Sequence, residues 1–143
     1  MKPGEIYWVD LATGRRPGIV VSRESLNQGN YVVMVLCTTR RFAIRSKRPN
    51  CVPFQAGEFG MPSDCVAQCE AIYALEKGEI DIASGMIGRL DTARLRDVIK
   101  AIGDVIDSAP PRHDVAWPPR GGYHAGIALG ESVHSSDRAS RIT

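Results

Sequence analysis

The stretch GRRPGIVVSRESLNQGNYVVMVLCTTRR, at positions 14–41, decides the fold of this chain. It holds two apolar runs rich in β-branched residues, 18–22 and 31–37, and turn-forming residues bound both runs. Such runs predict buried β-strands. If the two strands pair antiparallel, the arginines before the first strand lie beside the threonines and arginines that follow the second. Cations and hydroxyls gathered at one edge of a sheet are suited to hold a phosphate group.

Further strand patterns lie on both sides of this pair. Residues 4–11 alternate loosely and carry aromatic and β-branched side chains, and Pro17 is expected to begin the second strand. A short strand at 51–54 contains a proline, which marks it as a sheet edge. A longer strand is predicted over 64–75, and a short one at 79–82.

One helix and a long tail complete the predicted organisation. Asp91 or Thr92 is the expected helix cap, and apolar residues then recur at helical spacing: Leu95, Val98, Ile99, Ile102, Val105 and Ile106. Beyond residue 108 the chain is rich in proline, glycine and serine without periodicity, which predicts a disordered tail over 109–143. The sequence therefore predicts one folded domain, 1–108, that is mainly β with a C-terminal helix.

Composition limits the classes of function. The 143 residues suffice for one modest core, and the net charge of +2 gives no global attraction for nucleic acid. The N-terminus carries no signal-peptide core, and no apolar run approaches the roughly 20 residues that span a bilayer. We therefore expect a cytoplasmic protein with no membrane partner.

The residue types of the folded part exclude several chemistries. All three histidines lie beyond residue 112, and the four cysteines contain no Cys-x2-Cys pair, so a metal site is not expected. A serine hydrolase triad and a histidine-dependent nuclease lack their base. No Walker loop or Gly-x-Gly-x-x-Gly motif is present, so no nucleotide cofactor is expected. Arginine, hydroxyl and carboxylate groups remain, and these suit phosphate chemistry.

Two features allow more than one interpretation. Residues 40–48 carry five cations around Phe42, which indicates either a solvated loop or edge strand, or an arm that tracks phosphates with a stacking aromatic. Glu70 lies in an otherwise apolar strand and is either a solvated residue or one that orients an arginine, which we slightly favour. Simple alternation would place Ile72 on the face of Glu70, and Tyr73 on the opposite face with Cys69.

Five segments resemble the MazF/PemK family of toxin endoribonucleases: GEIYWVD at 4–10, GRRPGIVVS at 14–22, VLCTT at 35–39, DCVA at 64–67, and GRLD at 88–91 with the helix that follows. The resemblance covers residues 3–108. It implies a small SH3-like β-barrel with a C-terminal helix that works as a homodimer. It also implies the toxin of a type II toxin–antitoxin system, a metal-independent endoribonuclease without cofactors.

The resemblance also implies a substrate, products and residue roles. Single-stranded RNA (mRNA, with tRNA and rRNA as further candidates) would be cut at short sequences, leaving 2′,3′-cyclic phosphate and 5′-hydroxyl ends. The family's catalytic arginine and threonine fall on Arg16 and Thr38. The implied protein partner is a MazE-like antitoxin whose acidic disordered segment masks the groove. We expect further RNA contacts from Arg15, Thr39, Arg40, Arg41, Phe42, Arg45 and Glu70.

Two other classes of function stay open on the sequence. The same fold serves toxins that bind and inhibit a topoisomerase without cutting RNA, and a catalytically silent binding barrel is the second alternative. The presence of both Arg16 and Thr38 favours the nuclease.

Overall fold

The computed structural model describes residues 1–106, which form one antiparallel sheet and two α-helices. The predicted disordered tail over 109–143 lies outside the described residues. The elements in chain order are β1 (Glu5–Leu11), β2 (Gly14–Val20), β3 (Tyr31–Thr38), α1 (Phe42–Arg45), β4 (Cys51–Phe54), β5 (Cys65–Glu76), β6 (Ile80–Asp81), β7 (Gly88–Arg89) and α2 (Thr92–Ile106), with short 3-10 turns at Glu58–Gly60 and Lys77–Glu79.

The predicted mainly β fold with a C-terminal helix is confirmed. The strands pair in the order β4-β5-β3-β2-β1-β6, and β7 pairs separately with β1. Within residues 1–106, β4 and β6 end the sheet without pairing to each other, so the expected barrel is not closed by hydrogen bonds. The proline in β4 therefore lies on an edge strand, where its missing N–H costs no ladder bond.

Each face of the sheet has its own apolar core. On one face, buried side chains of β1, β2, β3 and β5 pack with Val98 and Ala101 of α2. Asp91 caps this helix, since its carboxylate accepts a hydrogen bond from the Arg94 N–H at 2.8 Å. A second cluster, on the other face, contains Val9, Val20, Val32, Met34, Leu36, Leu75 and Ile80.

β2 begins three residues earlier than predicted, because Pro17 lies inside it. Pro17 pairs with Trp8 of β1, but the β2–β3 ladder runs only as far as Gly18 opposite Leu36. The first half of β2 is therefore an edge on its β3 side, which tolerates a proline. Beyond Gly18 and Leu36 the sheet is open between β2 and β3.

A bulge in β5 overturns the predicted alternation at its second half. Cys37 pairs with Ala67, yet Val35 pairs with Ile72, so the register shifts between these two pairs. Extra residues on one strand change which side chains face the core. Ile72 therefore packs against the same core as Cys69, while Tyr73 is exposed.

Residues 40–48 are neither an edge strand nor a plain loop. Arg41 has a left-handed backbone conformation with φ 54°, which turns the chain out of β3, and α1 follows directly. Non-glycine residues seldom adopt this conformation. The short helix contacts β4 and β5, so the basic segment is folded against the sheet.

The loop between β2 and β3 is held by a buried asparagine. Asn27 donates through its side-chain amide to the carbonyl oxygens of Met1 and Ser22, at 3.1 and 2.9 Å. The Ser22 hydroxyl donates to Asn27 Oδ1 and accepts the Val33 N–H at 3.0 Å. This network joins the N-terminus, the loop and β3.

We expect Asn27→Ala to destabilise the fold by about 1–3 kcal/mol, because buried hydrogen-bonding groups lose their partners. Urea unfolding at pH 7 measures the change. Gln28→Ala, at an exposed neighbouring position, is the matched control and should stay within about 0.5 kcal/mol of the parent chain. Equal stability of the two variants would contradict the role given to Asn27.

Candidate functional site

A cavity of about 300 Å³ lies at the opening between β2 and β3. If the ladder continued two residues past Gly18 and Leu36, Arg16 would stand opposite Thr38. Both residues line the cavity. Its full lining is Trp8, Thr13, Arg15, Arg16, Pro17, Cys37, Thr38, Thr39, Arg40, Pro62, Ser63 and Cys65.

Thr38 presents a hydroxyl whose hydrogen is available. The residue is only 6% exposed, and its Oγ1 accepts a hydrogen bond from the Arg40 N–H at 3.2 Å. A hydroxyl has one donor and two acceptor positions. Because the backbone uses an acceptor position, the O–H can donate to an anion in the cavity.

Arg16 brings a positive charge to the same cavity. It is half-buried on β2, and it forms no ion pair with any residue of the range 1–106. A guanidinium offers five N–H donors in a planar fork that matches phosphate oxygens. The Arg16 guanidinium and the Thr38 hydroxyl thus line one partly enclosed space, and N–H and O–H donors of this kind suit an anion.

Arg15 differs from its neighbour, although it also lines the cavity. Its guanidinium lies 2.7 Å from a carboxylate oxygen of Asp81 and 3.9 Å from one of Asp10, and it stacks 5.0 Å from the centre of the Trp8 ring. Much of its charge is therefore compensated within the protein. Hydrogen bonds from Ser84, and then the Arg15 guanidinium, hold the pKa of Asp81 below its usual value.

This shift predicts a pH-dependent contribution of Asp81 to stability. A lowered pKa in the folded state means that the contribution is present above the unfolded value and is lost as the pH falls through the folded value. We expect Asp81→Asn to reduce the free energy of unfolding at pH 7, and the difference from the parent chain to shrink below about pH 3.8. Urea unfolding at pH 7 and pH 3 tests this; an equal difference at both pH values would contradict it.

The remaining predicted site residues fall into two groups. Thr39 and Arg40 are exposed and line the cavity with Arg16 and Thr38. The other four, which are Arg41, Phe42, Arg45 and Glu70, are absent from its lining. The site residues predicted from the sequence therefore form two sets, one that lines the cavity and one that lies outside it.

Glu70 belongs to a second polar cluster on β5. Its two carboxylate oxygens accept hydrogen bonds from Asn50 Nδ2 at 2.6 Å and from Gln68 Nε2 at 2.7 Å. Arg45 of α1 in turn donates to Gln68 Oε1 at 2.9 Å. In the described part of the chain Glu70 forms no ion pair with an arginine. The expected link to an arginine therefore runs through Gln68, which the sequence analysis did not single out.

Seven lining residues were not predicted from the sequence: Trp8, Thr13, Pro17, Cys37, Pro62, Ser63 and Cys65. Most of them could have been found from the pairing of β3 with β5. Because Thr38 pairs with Val66, the residues just before β5 must lie beside the end of β3. Trp8 follows in the same way from its pairing with Pro17.

The thiols form no metal centre in the described chain. All four cysteines are free and buried. Within residues 1–106 no group of three or more metal-ligating side chains comes together. A hydrogen bond with Cys65, together with burial, raises the pKa of Cys37 well above its usual value, so this cavity-lining thiol is protonated at neutral pH. Among the described helices, none has the length and apolar character that crossing a membrane requires.

The fold and the cavity define a class of small antiparallel β proteins in which an arginine and a threonine lie where two neighbouring strands stop pairing. A model of the PemK-like, MazF-like toxins of type II toxin–antitoxin systems matches residues 2–106, and the chain belongs to this family. A search of curated proteins gives no match.

Solved structures share the fold. An endoribonuclease from a mycobacterial species, in complex with its cognate antitoxin, aligns with a TM-score of 0.63 and 23% identity, over 78% of this chain and 99% of that chain. The Mycobacterium tuberculosis toxin MazF-mt6 gives 0.61 and 21%, over 74% and 97%. A MazE–MazF complex from Deinococcus radiodurans gives 0.59 and 18%, over 75% and 95%. These matches lend no support to a topoisomerase inhibitor or a silent barrel.

Proposed function

We propose that this chain is the toxin of a type II toxin–antitoxin system and that it cleaves single-stranded RNA at short sequences without a metal ion. The observation that carries the proposal is a cavity lined by the buried Thr38 hydroxyl and by the Arg16 guanidinium, which forms no ion pair within residues 1–106. Membership of the PemK-like, MazF-like toxins supports the activity. The cytoplasm, where mRNA is translated, is the expected place of action.

The reaction proposed for this cavity uses the substrate's own nucleophile. The ribose 2′ oxygen passes its proton to water and bonds to the adjacent phosphorus, and the bond from phosphorus to the 5′ oxygen breaks as that oxygen takes a proton from water. The products are a 2′,3′-cyclic phosphate and a 5′-hydroxyl end. The protein then has to supply only fixed donors for the charge that develops on the phosphorus oxygens.

Arg16 and Thr38 would supply those donors. The guanidinium would bind the non-bridging oxygens and neutralise their charge, and the Thr38 hydroxyl would donate to one of them. Because the pKa of arginine lies above about 12, Arg16 would act through charge and hydrogen bonds rather than as a free base. Thr39 and Arg40 line the same cavity and would contact the adjoining backbone.

The expected protein partners are a second copy of the chain and an antitoxin. Structural relatives are recorded with a cognate antitoxin or as MazE–MazF complexes, which supports a MazE-like partner here. An acidic disordered segment of that partner would be attracted to Arg16, Arg40 and the basic segment 40–48. It would thereby cover the cavity and block RNA.

Incubation of the purified chain with a long single-stranded RNA in EDTA tests the proposed reaction. We expect discrete fragments that carry 2′,3′-cyclic phosphate and 5′-hydroxyl ends. The DNA version of the same sequence should remain intact, because it lacks the 2′-hydroxyl. Intact RNA, fragments with 5′-phosphate ends or cleavage of the DNA would each contradict the proposal.

A further inference from the structure

We propose that Glu70, Gln68 and Asn50 form a subsite that reads a guanine base in the RNA, and that Arg45 holds this subsite in place. The inference rests on the proposed function and adds a determinant of its sequence preference. It starts from the hydrogen bonds among these four side chains, which lie outside the cavity that contains Arg16 and Thr38.

The subsite lies on the same face of the sheet as the cavity threonine. Thr38 and Val66 are paired across β3 and β5, so their side chains point to one face. Gln68 is two residues further along β5 and shares that face, about 7 Å away along the strand. Glu70 must share it too, because its carboxylate accepts the Gln68 amide hydrogen bond. A single strand of RNA that continues from the cavity along β5 would pass over this cluster.

The hydrogen bonds fix the direction of every polar group in the subsite. Glu70 accepts one amide N–H on each oxygen, from Asn50 and from Gln68. The Arg45 guanidinium donates to Gln68 Oε1 and thereby sets which end of that amide faces Glu70. The amide oxygen and nitrogen are thus assigned by their partners. An ordered array of this kind can discriminate between bases.

The unused acceptor positions of the Glu70 carboxylate select a base with two adjacent donors. Each Glu70 oxygen retains a lone pair, and the residue is exposed, so the carboxylate can accept two further hydrogen bonds. A negative carboxylate repels a phosphate, which favours a base over the backbone at this position. Guanine alone presents two neighbouring donors, N1–H and the N2 amino group, on its Watson–Crick edge, where single-stranded RNA is read. Uracil, cytosine and adenine each present an acceptor beside their donor and would be disfavoured.

Cleavage mapping gives the first test. Fragments from a random RNA pool are sequenced for the parent chain, for Glu70→Gln and for the control variant Glu24→Gln. Glu24 is an exposed residue of the loop between β2 and β3. We expect the parent and the control to require guanine at one fixed position relative to the cut. Glu70→Gln, which replaces an acceptor by a donor, should weaken that preference about 10-fold or more. An unchanged guanine preference in Glu70→Gln, or none in the parent chain, would overturn the proposal.

A binding measurement separates failure of the subsite from failure of the nuclease. Fluorescence anisotropy compares a 2′-O-methyl hexanucleotide containing guanines with one containing inosines, which lack only the N2 amino group; neither can be cleaved. The parent chain should bind the guanine hexamer about 10-fold more tightly, and Glu70→Gln should bind both alike. If the parent chain does not cleave RNA, the proposed function fails, yet this comparison still decides the subsite. Equal binding of the two hexamers by the parent chain would overturn it.

Discussion

Arg16→Ala is expected to lower the rate of RNA cleavage by about 10²–10³-fold, the loss typical for removal of one fixed donor to a developing oxyanion. The expectation follows from the position of the guanidinium, which lines the cavity with Thr38 and has no ion pair within residues 1–106. For the same reason the variant should fold normally, since no carboxylate of the described chain loses a partner. Single-turnover cleavage of a fluorescent RNA containing one site measures the rate.

Three further variants test the charge of Arg16, the shape of its donor group and the hydroxyl of Thr38 separately. Arg16→Lys keeps the positive charge but loses the planar fork, so it should recover only part of the lost rate. Thr38→Val keeps the shape of the side chain but removes the hydroxyl, and it should also slow cleavage about 10²-fold. Thr38→Ser keeps the hydroxyl and should stay within about 10-fold of the parent chain.

The control for these variants is Arg96→Ala, which removes an exposed arginine of α2 outside the cavity. It changes the net charge by the same amount as Arg16→Ala, so it corrects for any general attraction of RNA to the protein. We expect Arg96→Ala to cleave at nearly the parent rate. If the two alanine variants were equally active, the cavity would not be the site of cleavage.

The sequence predicted the parts of the fold that depend on local pattern. Strand patterns in the sequence identified β1, β3, β4 and β5 nearly to their observed ends, and Asp91 was among the expected caps of α2. The juxtaposition of Arg16 with Thr38 followed from antiparallel pairing alone, because pairing brings the start of one strand beside the end of the next.

What the sequence did not predict depends on contacts between distant residues. The bulge in β5 appears only in its register against β3, so alternation assigned Ile72 and Tyr73 to the wrong faces. The link from Arg45 to Glu70 passes through Gln68, which is 23 residues from Arg45 in the chain. Pro17 was expected at the start of β2, and only the early end of the β2–β3 ladder explains its place inside that strand.

Gly88→Ala is expected to destabilise the fold by about 3 kcal/mol or more, at the upper end of the range for overpacked sites. Two glycine-containing segments meet here, residues 59–60 and residues 87–88. A Cβ on Gly88 would lie 1.8 Å from the carbonyl oxygen of Phe59, and one on Gly60 would lie 2.3 Å from that of Ile87. Both obstacles are backbone atoms, which cannot move aside by a change of rotamer.

The backbone around the contact between segments 59–60 and 87–88 has little freedom to relax. Phe59 already has a left-handed conformation with φ 47°, and Gly88 is held in β7 opposite Ile6 of β1. Leu90 then donates its N–H to the Gly4 carbonyl oxygen at 2.9 Å, just before the cap of α2. A displaced Gly88 would therefore disturb both the sheet and the helix that covers it. Because small domains are stable by only about 5–15 kcal/mol, this change would remove a large share of the stability.

Gly103→Ala provides a control for which the opposite change in the free energy of unfolding is expected. Gly103 lies within α2, and a Cβ there would meet no atom within 4 Å. Alanine is favoured over glycine inside a helix by about 1 kcal/mol, so this variant should be more stable than the parent chain. Urea and thermal unfolding followed by far-UV circular dichroism measure both changes. If Gly88→Ala unfolded at the same urea concentration as the parent chain, segments 59–60 and 87–88 would have room to separate. The fold would then not require glycine at this contact.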